Sequence, residues 1–247
     1  MFQERTYRRG MLGEKFGTFS FSIQESDLFV GYTPKTREMD LVMKEARRKT
    51  MQLRNQILNY PDRRFLSSFI PLDNPIPSGH SLINTMILAS GEAKVGPMAS
   101  VAGAIAQEVG VHLKRKCGLQ EIVIENGGDL YLDVKEPILV KLLAPGSGFS
   151  GHVAIRIKAE DCPLGVCTSS GKTGPSFSFG RADAVMVACH DSALSDAYAT
   201  AFCNQVTDET QVDVVIKRIS HKEKIISALV VCNERLALYG RLEVEKL

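Results

Sequence analysis

Apolar and polar residues alternate along TFSFSIQESDLFVGY (18–32), the spacing of a hairpin with one buried face. Over 36–58 the period lengthens. Met39, Val42, Met43, Ala46, Leu53 and Ile57 recur at helical intervals, and Pro34 with the polar Thr33 and Thr36 suits the N-terminal end. SLINTMILASGEA (81–93) and GPMASVAGAIAQEVGVHLKRKCG (96–118) predict two more helices, the second with Pro97 in its first turn. Ala99, Ala102, Gly103, Ala104 and Ala106 would let another backbone come close to it. EIVIE (121–125), DLYLDV (129–134) and ILVKLLA (138–144) predict strands, and HVAIRI, GVCTS and AVMVAC extend the series. A helix over 192–204, another near 209–219 and two closing strands, KIISALVVC and RLALYGRLEV, complete the chain. LDNPIPSG (72–79), with two prolines and a glycine, is the best linker candidate but is too short to separate domains. The pattern predicts one α+β domain over 1–247, with antiparallel sheets and packed helices.

Composition narrows the function classes. The chain has 247 residues, 44% hydrophobic, with 30 Lys and Arg against 28 Asp and Glu, a net charge of +2. That balance gives no reason to expect nucleic acid or a membrane surface as partner. No apolar run approaches the roughly 20 residues needed to span a bilayer. The N-terminus, MFQERTYRRGMLGEKFG, is charged and has no apolar core, unlike a secretory signal. The expectation is a cytoplasmic protein in which Cys117, Cys162, Cys167, Cys189, Cys203 and Cys232 stay reduced and form no disulfide framework. Between Lys35 and Arg64, nine Lys or Arg face four Asp or Glu, which reads as a solvated helix face.

Three glycine-rich stretches stand where chemistry could sit. Gly96-Pro97 opens a helix, whose free N–H groups are suited to an anion. Asn126-Gly127-Gly128-Asp129 joins two strands as a hairpin turn, and the turn alone would account for the glycines. VCTSSGKTGPSFSFG (166–180) holds Thr168, Ser169, Ser170 and Gly171 and is richer in glycine and hydroxyls than a tight turn needs. Its backbone amides could wrap an anion. In SALSDAYATAFCN (192–204), Asp196 and Thr200 lie four apart and share a helix face. A carboxylate and a hydroxyl so placed offer hard oxygen ligands to Mg2+; alternatively they only steady the helix.

The order of these pieces resembles the ApbE-like superfamily, flavin transferases that bind FAD and Mg2+. The resemblance spans about 94–204. It rests on Gly96-Pro97, on Gly127-Gly128-Asp129, on Thr168-Ser169-Ser170-Gly171 and on Ser195-Asp196-Ala197-Tyr198-Ala199-Thr200-Ala201. It implies an ApbE-like, T-fold-related architecture, a flavin nucleotide (FAD or FMN) or similar small anionic ligand, and a protein as acceptor substrate. It implies magnesium ligation by Asp196 and Thr200, and nucleotide contacts from Gly96, Asn126, Gly127, Gly128, Asp129, Thr168, Ser169, Ser170 and Gly171. Transferases of the family carry a long segment after T-S-G that ends in H-x-x-D-P-x-T-G. Here GKTGPSFSFG alone precedes the next strand. Two other readings stay open: Cys167 as a nucleophile or sulfur carrier beside the hydroxyl-rich loop, and a binding module without chemistry.

Overall fold

A computed structural model describes residues 5–8, 11–172 and 180–247. The predicted N-terminal hairpin is β1 (Gly17–Ile23) and β2 (Ser26–Thr33). The first helix, α1 (Met39–Leu58), starts three residues later than its periodicity suggests. A short helix α2 (Arg64–Ser67) and α3 (Ser81–Ala93) follow. The alanine-rich stretch begins as a 3-10 turn, Pro97–Ser100, before α4 (Val101–Cys117). Then come β3 (Glu121–Asn126), β4 (Asp129–Asp133), β5 (Ile138–Lys141), β6 (Val153–Ile157), β7 (Leu164–Ser169) and β8 (Ala184–Cys189). The chain ends with α5 (Ser192–Cys203), α6 (Val212–Ile219), β9 (Ser227–Cys232), β10 (Arg235–Gly240) and β11 (Glu243–Lys246).

Eight strands form one antiparallel sheet in the order β1-β2-β3-β4-β7-β8-β9-β10, and β11-β6-β5 form a second, smaller one. The predicted final strand is therefore two strands in different sheets, divided by a turn at Gly240, where φ is +112°. The architecture has three layers. Ile122, Ile124, Tyr131, Cys167, Val185, Val187 and Val230 face the helices, in a core they share with Leu53, Phe65, Met86, Ile105 and Phe202. Val123, Leu132, Leu164, Met186, Leu229 and Val231, on the other face, pack with Val140, Ile155 and Ile157 of the small sheet. Central strands are thus apolar on both faces, the condition under which a strand reads as a continuous apolar run. The larger core takes residues from both sides of 72–79.

Candidate functional site

Four segments meet where the helix layer covers the ends of β3, β4 and β7. The first is the β3–β4 turn. Asn126 and Asp129 pair across it, and Gly127 and Gly128 take φ of +76° and +109°. Both central residues need the left-handed region, so glycine is dictated by the turn, as its sequence suggested. The groups able to bond a ligand are the flanking side chains. Alternation along β3 and β4 turns Asn126 and Asp129 to the helix side, the side of Ile124 and Tyr131.

The second segment is the start of α4 and the third is α5. Asp191 caps α5 by accepting from Leu194 N at 3.0 Å. The helix then lies directly on backbone. A Cβ added at Gly103 would stand 2.8 Å from the Ser192 carbonyl carbon and 3.0 Å from Asp196 Cβ; one at Gly165 would stand 2.6 Å from Ser192 Oγ. This closeness lets the buried Asp196 accept from Gly103 N at 2.9 Å and from Ala102 N as well. Asn126 Nδ2 donates to Ala102 O at 3.2 Å, tying the hairpin turn to the same first turn of α4. The fourth segment is the end of β7, where Thr168 N donates to Asp129 Oδ1 at 3.2 Å. The Cys167 thiol lies within hydrogen-bonding reach of Asp129 and 3.4 Å from Ser192 O, and it feels the charge of Asp196 as well.

Two buried carboxyls that feel each other's charge form an electrostatically strained group. Burial pushes Asp129 up to about 7, and the negative charge of Glu125 adds to it. Thr168 N, the Cys167 thiol and Arg5 act the other way. Burial, then the charge of Asp129, raises Asp196 well above the usual carboxylate range against the two amides it accepts from. Among the described residues, no cation acts on Asp196. Between an unfolded carboxyl near 3.9 and a folded one near 7, the folded chain holds a proton that the unfolded chain releases. The pair's contribution is full below pH ~4 and is lost as pH rises through the folded values, at about 1.4 kcal/mol per pH unit per proton held. Glu45, lowered to about 2 by Arg48 and His112, contributes in the opposite sense elsewhere, so the comparison must be internal. Asp129→Asn keeps an acceptor for Thr168 N. In the ligand-free protein, its melting temperature relative to wild type is expected to climb from pH 5 to pH 8. A difference that does not change with pH would show that Asp129 is not buried as a strained acid.

The remaining sequence-predicted residues differ in how they stand to this group. Thr200, half-buried, lies one turn beyond Asp196. Ser169 is buried, and Ser170 Oγ accepts from Lys172 N at 3.2 Å. Gly171 N donates to Ala182 O at 3.0 Å, and Gly171 packs on Gly180, which in turn rests on Cys203 at the end of α5. The root of the hydroxyl-rich loop therefore stands beside the helix that carries Asp196 and Thr200. Residues 173–179 of that loop, Gly174 included, lie outside the described residues. Gly96 packs against the backbone of Ser68 and Phe69, and the amides that reach Asp196 come from Ala102 and Gly103 instead.

All six cysteines are free. Cys167 is fully buried, and burial with the charges of Asp129 and Asp196 pushes its thiol well up, opposite to what a nucleophile needs. This corrects the reading of Cys167 as a nucleophile or sulfur carrier. Among the described residues, no group of three His, Cys, Asp or Glu is arranged to hold a metal ion by itself, and no helix is long and apolar enough to cross a membrane. A cavity of about 320 Å3 on the small-sheet side is lined by Arg156, Lys158, Asp161 and Arg241 among others, and none of the clustered residues lines it.

Sequence reasoning missed the N-terminal arm. Arg5, Tyr7 and Arg8 converge on Glu125, the residue before Asn126. Its only sequence signal was the charge of TYRR, read there as an argument against a secretory signal.

Comparison with known proteins bears on this geometry. A family model described as "AbpE bacteria" matches residues 9–232. A UPF0280 protein of Methanocaldococcus jannaschii is 36% identical over 217 residues, 86% of this chain and 84% of its own. Another, from Methanospirillum hungatei, is 44% identical over 160 residues, 64% of each chain. Among solved structures, the apo form of the Pseudomonas stutzeri flavinyl transferase ApbE is similar with a TM-score of 0.62 at 14% identity, over 91% of this chain and 94% of that one. The Vibrio cholerae flavin transferase ApbE gives 0.60 at 13% identity, over 91% and 96%. At such identities the likeness is one of fold.

Proposed function

The chain belongs to the AbpE bacteria family, and from that membership and the carboxylate cluster we propose that it binds a flavin nucleotide, FAD or FMN, together with Mg2+. The observation that carries the reading is the pair Asp129 and Asp196, buried side by side with no cation among the described residues acting on Asp196. Buried like charges call for a counter-cation or for protons. Mg2+ is characteristically held by one or two carboxylates plus substrate phosphates rather than by an all-protein cage. The donor set fits that habit. Asp196 would hold the ion with Thr200, one turn away on the same helix. Asp196 Oδ2 keeps lone-pair capacity beyond the Gly103 amide. When bound, Mg2+ would withdraw charge from a diphosphate.

The chain's own residues do the rest. Ala102 N and Gly103 N orient the Asp196 carboxyl, Asn126 holds the turn to α4, and Thr168 N orients Asp129. The root of the hydroxyl-rich loop is fixed beside the cluster, with Thr168 N bonded to Asp129 and Gly171 N to Ala182 O. The flavin-transferase names of the structural neighbours extend the proposal to group transfer. A hydroxyl on a protein acceptor would bond to the FMN phosphorus of FAD, the bridging P–O bond would break, and AMP would leave while the hydroxyl proton passes to water.

A titration of FAD with and without Mg2+, followed by flavin fluorescence and thermal shift, tests the binding. FAD is expected to raise the melting temperature in Mg2+ and to do so much less in its absence. Indifference to FAD, FMN and Mg2+ alike would overturn the reading. AMP release in the presence of a hydroxyl-bearing peptide would separate transfer from binding alone.

A further inference from the structure

Glu125 is a buried charge that the hairpin does not need. Its side chain is 2% exposed, on the face of β3 turned away from the helices, the face of Val123. The turn beyond it closes without it, since Asn126 pairs with Asp129 and two glycines supply the positive φ values. A well-packed apolar residue commonly serves such a position at no loss of stability. Instead, Glu125 takes four partners. Arg5 Nη1 donates at 3.0 Å, Arg8 Nε at 2.5 Å, Tyr7 Oη at 2.9 Å and Gly128 N at 2.7 Å. Both arginines also pair with Asp27, each at 2.9 Å, which anchors the arm to β2 as well.

The partner that matters for the site is Gly128. A Gly-Gly turn has the freest backbone in the cluster, and its two ends carry Asn126 and Asp129. The Glu125–Gly128 bond removes that freedom one residue before Asp129. We propose that Glu125 is a positioning residue of the flavin site: its bond to Gly128 N fixes the turn presenting Asn126 and Asp129, while Arg5, Tyr7 and Arg8 offset its buried charge from the opposite face of the sheet. The proposal rests on the reading of the site given above. In it, Glu125 touches neither ligand nor metal, and the arm belongs to the site's support.

The test compares FAD affinity in Mg2+ with melting temperature across Glu125→Gln, Glu125→Ala and Arg8→Ala. Glu125→Gln keeps an oxygen for Gly128 N but loses the ion pairs. It is expected to melt lower while binding FAD within about threefold of wild type. Glu125→Ala releases the turn and is expected to weaken FAD binding about tenfold or more, the scale of losses when an outer-shell partner of a ligating group is removed. Arg8→Ala is expected to behave as Glu125→Gln does. If Glu125→Ala does not fold, Glu125→Asp carries the same expectation, because it keeps the charge for the arm and withdraws the acceptor from Gly128. A purely structural Glu125 would make FAD affinity follow melting temperature across the set, with Gln and Ala equally impaired, and would overturn the proposal. So would wild-type affinity in Glu125→Ala. A wild-type protein that binds no flavin nucleotide would instead overturn the reading of the site, and the positioning role with it.

Discussion

Asp196→Asn is expected to weaken Mg2+-dependent FAD binding roughly ten- to hundred-fold while leaving the ligand-free protein as stable as wild type or more so. The two halves of this expectation have separate causes. The amide oxygen of asparagine still accepts from Gly103 N, so the join between α4 and α5 survives. What disappears is a carboxylate whose charged form is disfavoured by burial and by Asp129. Removing a buried charge that lacks a cation relieves the folded state, and the gain should grow with pH as the wild-type pair is forced to ionise. Function moves the other way. The proposed ion loses its anionic ligand, and contacts to charged groups worth about 1.5–3 kcal/mol correspond to roughly a ten- to hundred-fold loss of affinity. Asp196→Ala separates the roles further. It strands the Gly103 amide in a buried setting, at about 1–3 kcal/mol, and should therefore lower stability as well as binding. Thermal melts of the two variants without ligand, beside FAD titrations at matched Mg2+, read out both halves. An asparagine variant that binds FAD as wild type does, with unchanged Mg2+ dependence, would remove Asp196 from the metal site.

The place of Asp196 between α4 and α5 shows what the sequence conveyed and what it hid. The spacing of Asp196 and Thr200 and the alanines around them marked α5 as unusual, and the motif order pointed to the ApbE-like fold. The elements were legible because their periods were clean: the alternation of 18–32, the helical recurrence of Met39 to Ile57, the Asn-Gly-Gly-Asp turn. The three-layer arrangement was less so. Val185, Met186 and Val187 are all buried, on alternating faces, and nothing in such a run says that a second sheet lies behind it. The donors that hold Asp196 were also out of reach. Gly96-Pro97 looked like the helix opening that would meet an anion, yet the 3-10 turn Pro97–Ser100 shifts the usable amides to Ala102 and Gly103. Backbone amides carry no side-chain signature, so only the approach of α5 reveals them. The arm at Glu125 was hidden for a similar reason: charge on a short terminal segment gives no partner 120 positions away, as Arg5 and Glu125 are.

Gly103→Ala is expected to destabilise the protein although helix propensity favours the change. In an unobstructed helix, Gly to Ala gains about 1 kcal/mol. Gly91 of α3 offers that control, because nothing lies within 4 Å of a Cβ placed there. At Gly103 the added carbon meets Ser192 backbone well inside van der Waals contact, with the Ser192 carbonyl carbon at 2.8 Å and Asp196 Cβ at 3.0 Å. Backbone cannot turn aside as a flexible side chain can, so the helices must move apart. Overpacking of this kind costs about 1–3 kcal/mol, and separating the helices lengthens the bond from Gly103 N to Asp196. The net effect is a melting temperature lowered by several degrees, given about 2–4 °C per kcal/mol at this chain length. Gly91→Ala should hold or gain. Binding should suffer beyond the loss of stability. The Cys167 thiol leans on the same Ser192 carbonyl, and Asn126 is tied to Ala102, so a shift of α4 from α5 disturbs both carboxyls together. FAD affinity in Gly103→Ala, measured well below its melting temperature, is therefore expected to fall while Gly91→Ala stays at the wild-type value. Equal stability and equal affinity in the two variants would mean that α4 and α5 are not in backbone contact at Gly103. Asp196 would then owe its position to something other than the Gly103 amide.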